Sequence, residues 1–143
     1  MDIRELIDAA YTARERSYSP YSHFAVGAAL LCADGKVYPG CNIENASYSM
    51  TNCAERTAFF RAVSAGEKEF TMLAVCGGPA GEPESAAADY CMPCGACRQV
   101  MAEFCDPEKF EIIVCRTRSD YKEFKLSELL PGSFGAGNLD GTR

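Results

Sequence analysis

Two short clusters of side chains in this sequence can bind a metal ion and move a proton. The first contains Cys53 and Glu55, and the second contains Cys94 and Cys97 directly after Pro93. Each cluster lies where the sequence predicts the start of a helix. A helix N-terminus carries unpaired amide groups and partial positive charge, which stabilise the thiolate form of cysteine that binds metals. Both clusters are therefore predicted to contribute to a metal site.

The spacing of the cysteines predicts a catalytic zinc site with one Zn²⁺ per chain. Cys94 and Cys97 are three residues apart and can reach one ion from a first helical turn, while Cys53 supplies a third ligand. Three protein ligands and one open position are typical of catalytic zinc, whereas structural zinc is closed by four. In the open position zinc lowers the pKa of a water to roughly 7. The negative charge of three thiolates opposes this lowering of the pKa. We expect the two helix N-termini, together with Arg56 or Arg98, to offset that charge.

Glu55 is predicted to be the catalytic acid and base. It lies two residues beyond Cys53, which is close enough to hydrogen-bond the activated water without coordinating the metal. A carboxyl group in that place can take a proton from water and return it to the substrate. Zinc deaminases have a sequence signature in which a metal ligand, any one residue and Glu are followed later by Pro-Cys-x-x-Cys. This sequence matches the signature, with cysteine as the first ligand.

Other interpretations of the cysteines remain open. A lone Cys-x-x-Cys also suits a structural zinc or a redox site, and Cys91 could pair with Cys94 instead. Because Cys91 precedes Pro93, it is predicted to be a loop thiol, and His23 is predicted to be a surface residue rather than a ligand. The cysteines in apolar strand patterns are expected in the core, and they are Cys32, Cys76 and Cys115. The positions of Cys41 and Cys105 are left undecided.

Length and composition exclude several classes of protein. A chain of 143 residues is predicted to form a single domain, 1–143. The 14 basic residues face 20 acidic ones, and the net charge of −6 argues against nucleic acid as a partner. The longest apolar stretch, residues 24–33, is too short to span a membrane. With no export leader and nine cysteines, an odd number, the sequence favours a cytoplasmic protein without a disulfide framework.

The elements that must position these residues follow from periodicity and turn signals. A helix capped by Thr51 or Asn52 is predicted to carry the first cluster, and Gly66 ends it. The predicted helices are 3–16, 51–65, 93–104 and 126–130, and the predicted strands are 24–33, 36–44, 71–76, 111–116 and 121–125, with a loop at 77–92. Alternating strands and helices predict an α/β fold, a three-layer α/β/α sandwich with helices on both faces of the sheet.

With these motifs in view, the sequence closely resembles the small, homotetrameric, zinc-dependent cytidine deaminases over nearly its whole length. Besides the two zinc clusters, five segments carry the resemblance. They are Tyr-Ser-Pro-Tyr-Ser at 18–22, Phe-Ala-Val-Gly-Ala-Ala-Leu at 24–30, Gly-Cys-Asn-Ile-Glu-Asn-Ala-Ser-Tyr at 40–48, Arg-Gln-Val at 98–100 and Leu-Leu-Pro-Gly-Ser-Phe-Gly at 129–135. The segment at 77–92 is longer than the family's usual link. The resemblance implies a mixed central sheet and a homotetramer with shared active sites.

The resemblance also implies an activity and a set of substrate contacts. The activity is hydrolytic deamination of cytidine and deoxycytidine to uridine and deoxyuridine in pyrimidine salvage, with blasticidin S or a nucleic-acid cytosine as alternative substrates. A non-catalytic zinc module, which needs four protein ligands, is the other alternative. The implied contacts are Asn42 and Glu44 with the ribose 3′-hydroxyl, Phe24 with the nucleoside, the Ala54 amide with the base, and Ala46, Tyr48 and Phe134 with a neighbouring subunit's site. Composition alone would make Asn42 and Glu44 a solvated strand end, and would bury Phe24 and Phe134 in the core.

Overall fold

The computed structural model describes residues 1–141 of the chain. Within this range the chain forms five strands and five helices, which are interleaved along the sequence. They are α1 (Ile3–Arg14), β1 (Phe24–Cys32), β2 (Val37–Cys41), α2 (Ala54–Ser64), β3 (Phe70–Pro79), α3 (Gly95–Phe104), β4 (Glu111–Cys115), β5 (Tyr121–Lys125), α4 (Leu126–Leu129) and α5 (Ala136–Asp140). Short 3₁₀ turns at Tyr48–Met50 and Glu84–Ala86 interrupt the loops.

The strands form one mixed sheet in the order β2-β1-β3-β4-β5. β1 pairs antiparallel with both β2 and β3, and β5 pairs antiparallel with β4. β3 and β4 are parallel, and α3 lies in the connection between them. Because a parallel pair needs a crossover, this connection carries the second cysteine cluster over one face of the sheet. The expected mixed sheet is confirmed.

Two hydrophobic cores lie on opposite faces of the sheet. On one face, Leu6 and Tyr11 of α1 pack with Ala29 of β1 and Ala74 of β3. On the other face, α2, α3 and α4 cover the neighbouring residues of the same strands, and the buried Phe59 of α2 belongs to that core. Adjacent residues of a strand face opposite sides, so β1 contributes to both cores. The predicted three-layer α/β/α sandwich is confirmed.

Two glycines allow helices to lie close against the sheet. A Cβ atom at Gly27 would stand 2.1 Å from the carbonyl oxygen of Ala10 in α1. A Cβ atom at Gly40 would stand 2.4 Å from the carbonyl oxygen of Ala54 in α2. Neither position can accept a side chain without a backbone shift. The glycine in β2 therefore fixes how closely the first turn of α2, and the site it carries, approaches the sheet.

Several predicted boundaries are wrong by a few residues. α1 ends at Arg14 rather than at residue 16, because the amides of the next residues donate to carbonyls three positions earlier, as in a 3₁₀ turn, and not four positions earlier. β2 ends at Cys41 rather than at residue 44, because Ile43 exchanges backbone hydrogen bonds with Asn52 instead of β1. β3 continues to Pro79, where a loop was predicted, because β1 offers partners as far as Phe24.

The three cysteines expected in the core, Cys32, Cys76 and Cys115, are buried, as predicted. Cys41 and Cys105, for which the sequence makes no prediction, are half-buried. All nine cysteines lie within the described residues, and all are free thiols. Among residues 1–141, no helix has the length and apolar character needed to cross a membrane.

Candidate metal centre and active site

The two metal-binding clusters lie at helix starts, as predicted, but the caps are the cysteines themselves. Cys53 is the N-cap of α2, and Cys94 is the N-cap of α3, both with extended backbone. The predicted cap by Thr51 or Asn52 is wrong. Asn52 instead pairs its backbone with Ile43 at 2.9 Å in both directions, and so is held short of the helix. Each cap thiol is therefore presented beside the free amides of a first helical turn.

The three predicted thiol ligands converge on one point. The Sγ atoms of Cys53 and Cys94 are 3.8 Å apart, and those of Cys94 and Cys97 are 3.4 Å apart. All three sulfurs lie within 4.8 Å of one another. Tetrahedral zinc with bonds of about 2.3 Å holds its sulfur ligands roughly 3.8 Å apart. The cluster thus fits a zinc ion.

Cys91, the competing ligand, lies outside this group. A Cβ atom added at Gly77 would stand 2.8 Å from the Cys91 sulfur and 2.9 Å from the ring of Phe24. The Cys91 thiol thus packs beside an aromatic ring at the start of β1. Its pKa is raised well above the usual range, first by burial and then by the negative charge of Glu55. Cys91 is therefore a neutral thiol beside the cluster and not part of it. The cluster consists of Cys53, Cys94 and Cys97.

A positive charge accompanies the thiols. Arg56 donates from Nη2 to the Cys53 sulfur at 3.0 Å, and its Nε is buried without a hydrogen-bond partner among the described residues. The pKa of Cys53 is lowered, first because of its hydrogen bond with the Cys97 thiol and then because of Arg56. The same hydrogen bond and burial raise the pKa of Cys97. The arrangement therefore favours the thiolate form of Cys53 over that of Cys97.

Glu55 lies in the first turn of α2 and is almost completely buried, with 5% of its surface exposed. Burial is the main reason that its pKa rises to about 7, and the nearby Cys53 thiolate raises it further. A carboxyl group with a pKa near the working pH can both accept and donate a proton. The structure places this carboxyl beside the thiol cluster, as the sequence pattern predicts.

Asn42 and Glu44 are not a solvated strand end, because the chain itself uses their side chains. Asn42 accepts from the Val26 amide at 2.9 Å, donates from Nδ2 to the Phe24 carbonyl at 2.8 Å and accepts from the Ser17 hydroxyl. The Asn42 side chain therefore fixes the first residues of β1 and the end of the segment that follows α1. Among the described residues, the second hydrogen of the Asn42 amide has no acceptor.

Glu44 binds the loop that precedes β1. It accepts from the amides of Tyr21 and Ser22 at 2.9 and 3.1 Å, and from the Ser22 hydroxyl. These bonds lower the pKa of Glu44, with the Ser22 hydroxyl as the largest cause. Ser17 and Ser22 support two predicted contact residues and were not predicted to do so. The sequence carries no signal for this role, because the two serines lie 25 and 22 residues before Asn42 and Glu44, respectively.

Ala54, whose amide is a predicted contact, is buried as the first residue of α2, and the other predicted contacts lie on the surface. Phe24 is 44% exposed, Tyr48 is 76% exposed and Phe134 is 56% exposed, while Ala46 is also exposed. The default expectation of a buried Phe24 and Phe134 is therefore wrong. Tyr48 shares a surface pocket with Glu44 and stacks edge-on with Tyr21 at 6.1 Å between ring centroids. Aromatic side chains this exposed are available to a partner molecule.

Three thiols and a buried carboxyl at two helix starts, on one face of an α/β/α sandwich, define a zinc-dependent deaminase. The family model for the cytidine and deoxycytidylate deaminase zinc-binding region matches residues 1–113. The chain is 51% identical to a cytidine deaminase of Sporosarcina psychrophila, over 97% of this chain and 96% of that protein. It is 48% identical to a cytidine deaminase of Halalkalibacterium halodurans, over 98% and 99%. The protein belongs to the cytidine deaminase family.

Solved structures agree with this assignment. The crystal structure of cytidine deaminase from Burkholderia pseudomallei superposes with a TM-score of 0.84 at 46% identity, and covers 94% of this chain and 100% of that one. Cytidine deaminase from Mycobacterium tuberculosis superposes with a TM-score of 0.78 at 37% identity, and covers 94% and 98%. The expected fold and the expected resemblance are both confirmed.

Proposed function

We propose that the protein is a zinc-dependent enzyme that hydrolyses cytidine and deoxycytidine to uridine and deoxyuridine with release of ammonia. The observation that carries this proposal is the convergence of three thiols beside the buried carboxyl of Glu55, in a chain about half identical to proteins named cytidine deaminases. When bound, zinc supplies a Lewis acid that activates water for attack on carbon 4 of the base.

Glu55 moves the protons in this proposal. Its carboxyl takes a proton from the attacking water and delivers it to ring nitrogen 3, and then passes the second proton of that water to the departing amino group. Burial supports both steps, because it keeps the proton affinity of the carboxyl near neutrality. The Ala54 amide, at the start of the same helix, helps to fix the base. The atoms balance, since one water enters and one ammonia leaves.

Asn42, Glu44 and Phe24 hold the nucleoside in this proposal. The unused hydrogen of Asn42 and an oxygen of Glu44 bind the ribose 3′-hydroxyl, while the half-exposed ring of Phe24 packs against the nucleoside. The hydrogen bonds that these side chains make within the chain support the role, because they hold both polar groups in one orientation before substrate arrives.

We further propose a homotetramer in which Ala46, Tyr48 and Phe134 complete the site of a neighbouring subunit. The support is the exposure of two aromatic residues that a monomer would leave in water. We place the protein in the cytoplasm, in pyrimidine salvage, since nine free thiols suit a reducing compartment. Blasticidin S as the substrate is not favoured, because the relatives at 48–51% identity are named for cytidine.

The experiment that tests the proposal is a substrate panel with the purified holoenzyme. Cytidine, deoxycytidine, blasticidin S and a single-stranded cytosine-containing DNA are incubated separately, and products are separated by chromatography with ammonia measured in parallel. We expect uridine or deoxyuridine and ammonia in equal amounts from the two nucleosides alone. Turnover of the DNA or blasticidin S with no turnover of cytidine would overturn the proposal.

A further inference from the structure

α3 binds the C-terminal segment of the chain as well as carrying two metal-binding thiols. Arg98 donates from Nε to the Pro93 carbonyl at 2.8 Å and from Nη1 to the Leu129 carbonyl at 2.7 Å. The next residue, Gln99, donates from Nε2 to the Phe134 carbonyl at 2.8 Å. Two consecutive side chains therefore connect this segment to α3, the helix whose N-cap is Cys94.

The segment around Phe134 has few apolar anchors of its own. Gly132 adopts a left-handed backbone with φ of +62°, and α5 beyond it is only five residues long. Leu139 in α5 is 80% exposed, and the Phe134 side chain is itself half outside the chain. A segment with so little apolar burial depends on polar contacts to keep one conformation. The Gln99 hydrogen bond is made to the backbone of the very residue whose side chain projects outward.

We propose that Gln99 is a positioning residue, which holds Phe134 where its ring can enter the nucleoside pocket of a neighbouring subunit. This inference rests on the proposed function. Gln99 acts through the Phe134 backbone and does not touch substrate. Loss of the hydrogen bond should leave the metal cluster intact and should chiefly weaken substrate binding, because a freely moving ring must be ordered when substrate binds. We expect KM to rise about fivefold, which is ~1 kcal/mol at 25 °C, with a smaller change in kcat.

The absence of tryptophan from the sequence provides a direct readout. Phe134→Trp introduces a single tryptophan at this position, which can be excited selectively at wavelengths where the tyrosines do not absorb. In this background Gln99→Leu removes the donor at similar size, and Gln99→Lys retains a donor. The matched control is Glu103→Leu, which changes an exposed residue one turn further along α3 that has no hydrogen bond to the segment among the described residues. Zinc content and thermal midpoint are measured for every variant.

We expect Gln99→Leu to shift the tryptophan emission to longer wavelength and to increase its quenching by acrylamide. Gln99→Lys should restore at least half of both changes, and Glu103→Leu should match the parent. In the background with native Phe134, Gln99→Leu should raise KM for cytidine as stated. Hydrogen exchange of the peptide covering residues 130–140 should accelerate in Gln99→Leu, which tests the same point without the tryptophan.

Two results would overturn the proposal. One is unchanged emission and unchanged hydrogen exchange in Gln99→Leu, whatever happens to KM. The other is an increase in mobility without a change in KM. Failure of the proposed function is a separate result, because the parent protein would then show no deamination of cytidine. Tryptophan emission and hydrogen exchange would still report on the position of residue 134.

Discussion

The guanidinium of Arg56 donates to the sulfur of Cys53 at 3.0 Å, so the metal cluster contains a built-in positive charge. Three thiolates on a divalent ion carry an excess negative charge that opposes acidification of a bound water. Arg56→Gln should therefore lower kcat about 10- to 100-fold, as expected for the loss of a hydrogen bond to a charged group worth about 1.5–3 kcal/mol. Steady-state kinetics at saturating cytidine, with zinc measured in the same sample, checks this.

The control for that experiment is Arg61→Gln on the same helix. Arg61 donates to the Pro39 carbonyl, and among the described residues it has no hydrogen bond to the three clustered thiols. Its kcat should stay within twofold of the parent. A full kcat in Arg56→Gln with zinc retained would show that the helix starts alone offset the thiolate charge.

Removal of any of the three clustered thiols should release zinc. Cys94→Ala should reduce the metal content from one zinc per chain to a small fraction and should abolish turnover, because two thiolates hold zinc much less tightly than three. Elemental analysis after dialysis measures the stoichiometry. Cys91→Ala is the matched variant and should keep its zinc. The opposite outcome, with metal lost only in Cys91→Ala, would mean that Cys91 and not Cys94 is a ligand.

Glu55→Gln should keep the fold and the zinc and lose nearly all turnover. Glutamine has almost the same size, and it cannot carry a proton between water, ring nitrogen and leaving group. General acid–base steps contribute on the order of 100- to 10,000-fold each, and Glu55 serves more than one. Single-turnover kinetics, with circular dichroism as the check on folding, measures the effect. A variant within a few-fold of the parent would remove Glu55 from the mechanism.

Sugar recognition is better tested by changing the substrate than the protein, since Asn42 and Glu44 also hold the backbone around the start of β1. A 3′-deoxy substrate leaves polar groups unpaired, at about 1–3 kcal/mol for each group. The kcat/KM for 3′-deoxycytidine should therefore fall at least ~10-fold relative to cytidine. 2′-Deoxycytidine serves as the control and should differ by much less. Equal values for cytidine and its 3′-deoxy analogue would refute the contact.

Shared active sites predict complementation between two inactive variants. Glu55→Ala and Phe134→Ala chains refolded together should form mixed sites that combine an intact Glu55 from one chain with an intact Phe134 from another. Their activity should exceed the sum of the two variants refolded separately, and size measurement should show assemblies well above 15.5 kDa. Absence of recovery, with mixed assemblies demonstrated by mass spectrometry, would assign Phe134 to its own chain or to no site.

Much of the fold was predictable because local signals and packing agree. Apolar alternation located the strands, and the residue types of the two clusters located the metal site. The cap of α2 was missed because Thr51 and Asn52 are good capping residues in isolation. Their groups are used by contacts within the loop that precedes α2, with the Asn45 amide donating to Thr51 and the Asn52 backbone paired with Ile43. The propensity of single residues cannot show that a loop will use these groups in its own hydrogen bonds.

The end of β3 was missed for a similar reason. Gly77 and Pro79 are turn residues by type, and they carry strand conformation here because the first residues of β1 pair with them. The double use of Asn42 and Glu44 was also beyond the sequence, since a polar residue at a strand end gives no sign of which backbone groups it will bind. The exposure of Phe134 contradicts its apolar type, and only the family resemblance indicated it.

Both edges of the sheet carry features that oppose further strand pairing. In β2, Pro39 has no amide hydrogen, and Arg61 occupies its carbonyl oxygen at 2.8 Å. In β5, Lys122, Glu123 and Lys125 present alternating charges to solvent. Edge strands protected in these ways resist edge-to-edge addition and the aggregation that follows from it. Copies of this chain are thus expected to associate through helices and loops. Such an assembly can bring one chain's projecting ring to another's pocket, and it keeps concentrated enzyme from polymerising into extended sheets.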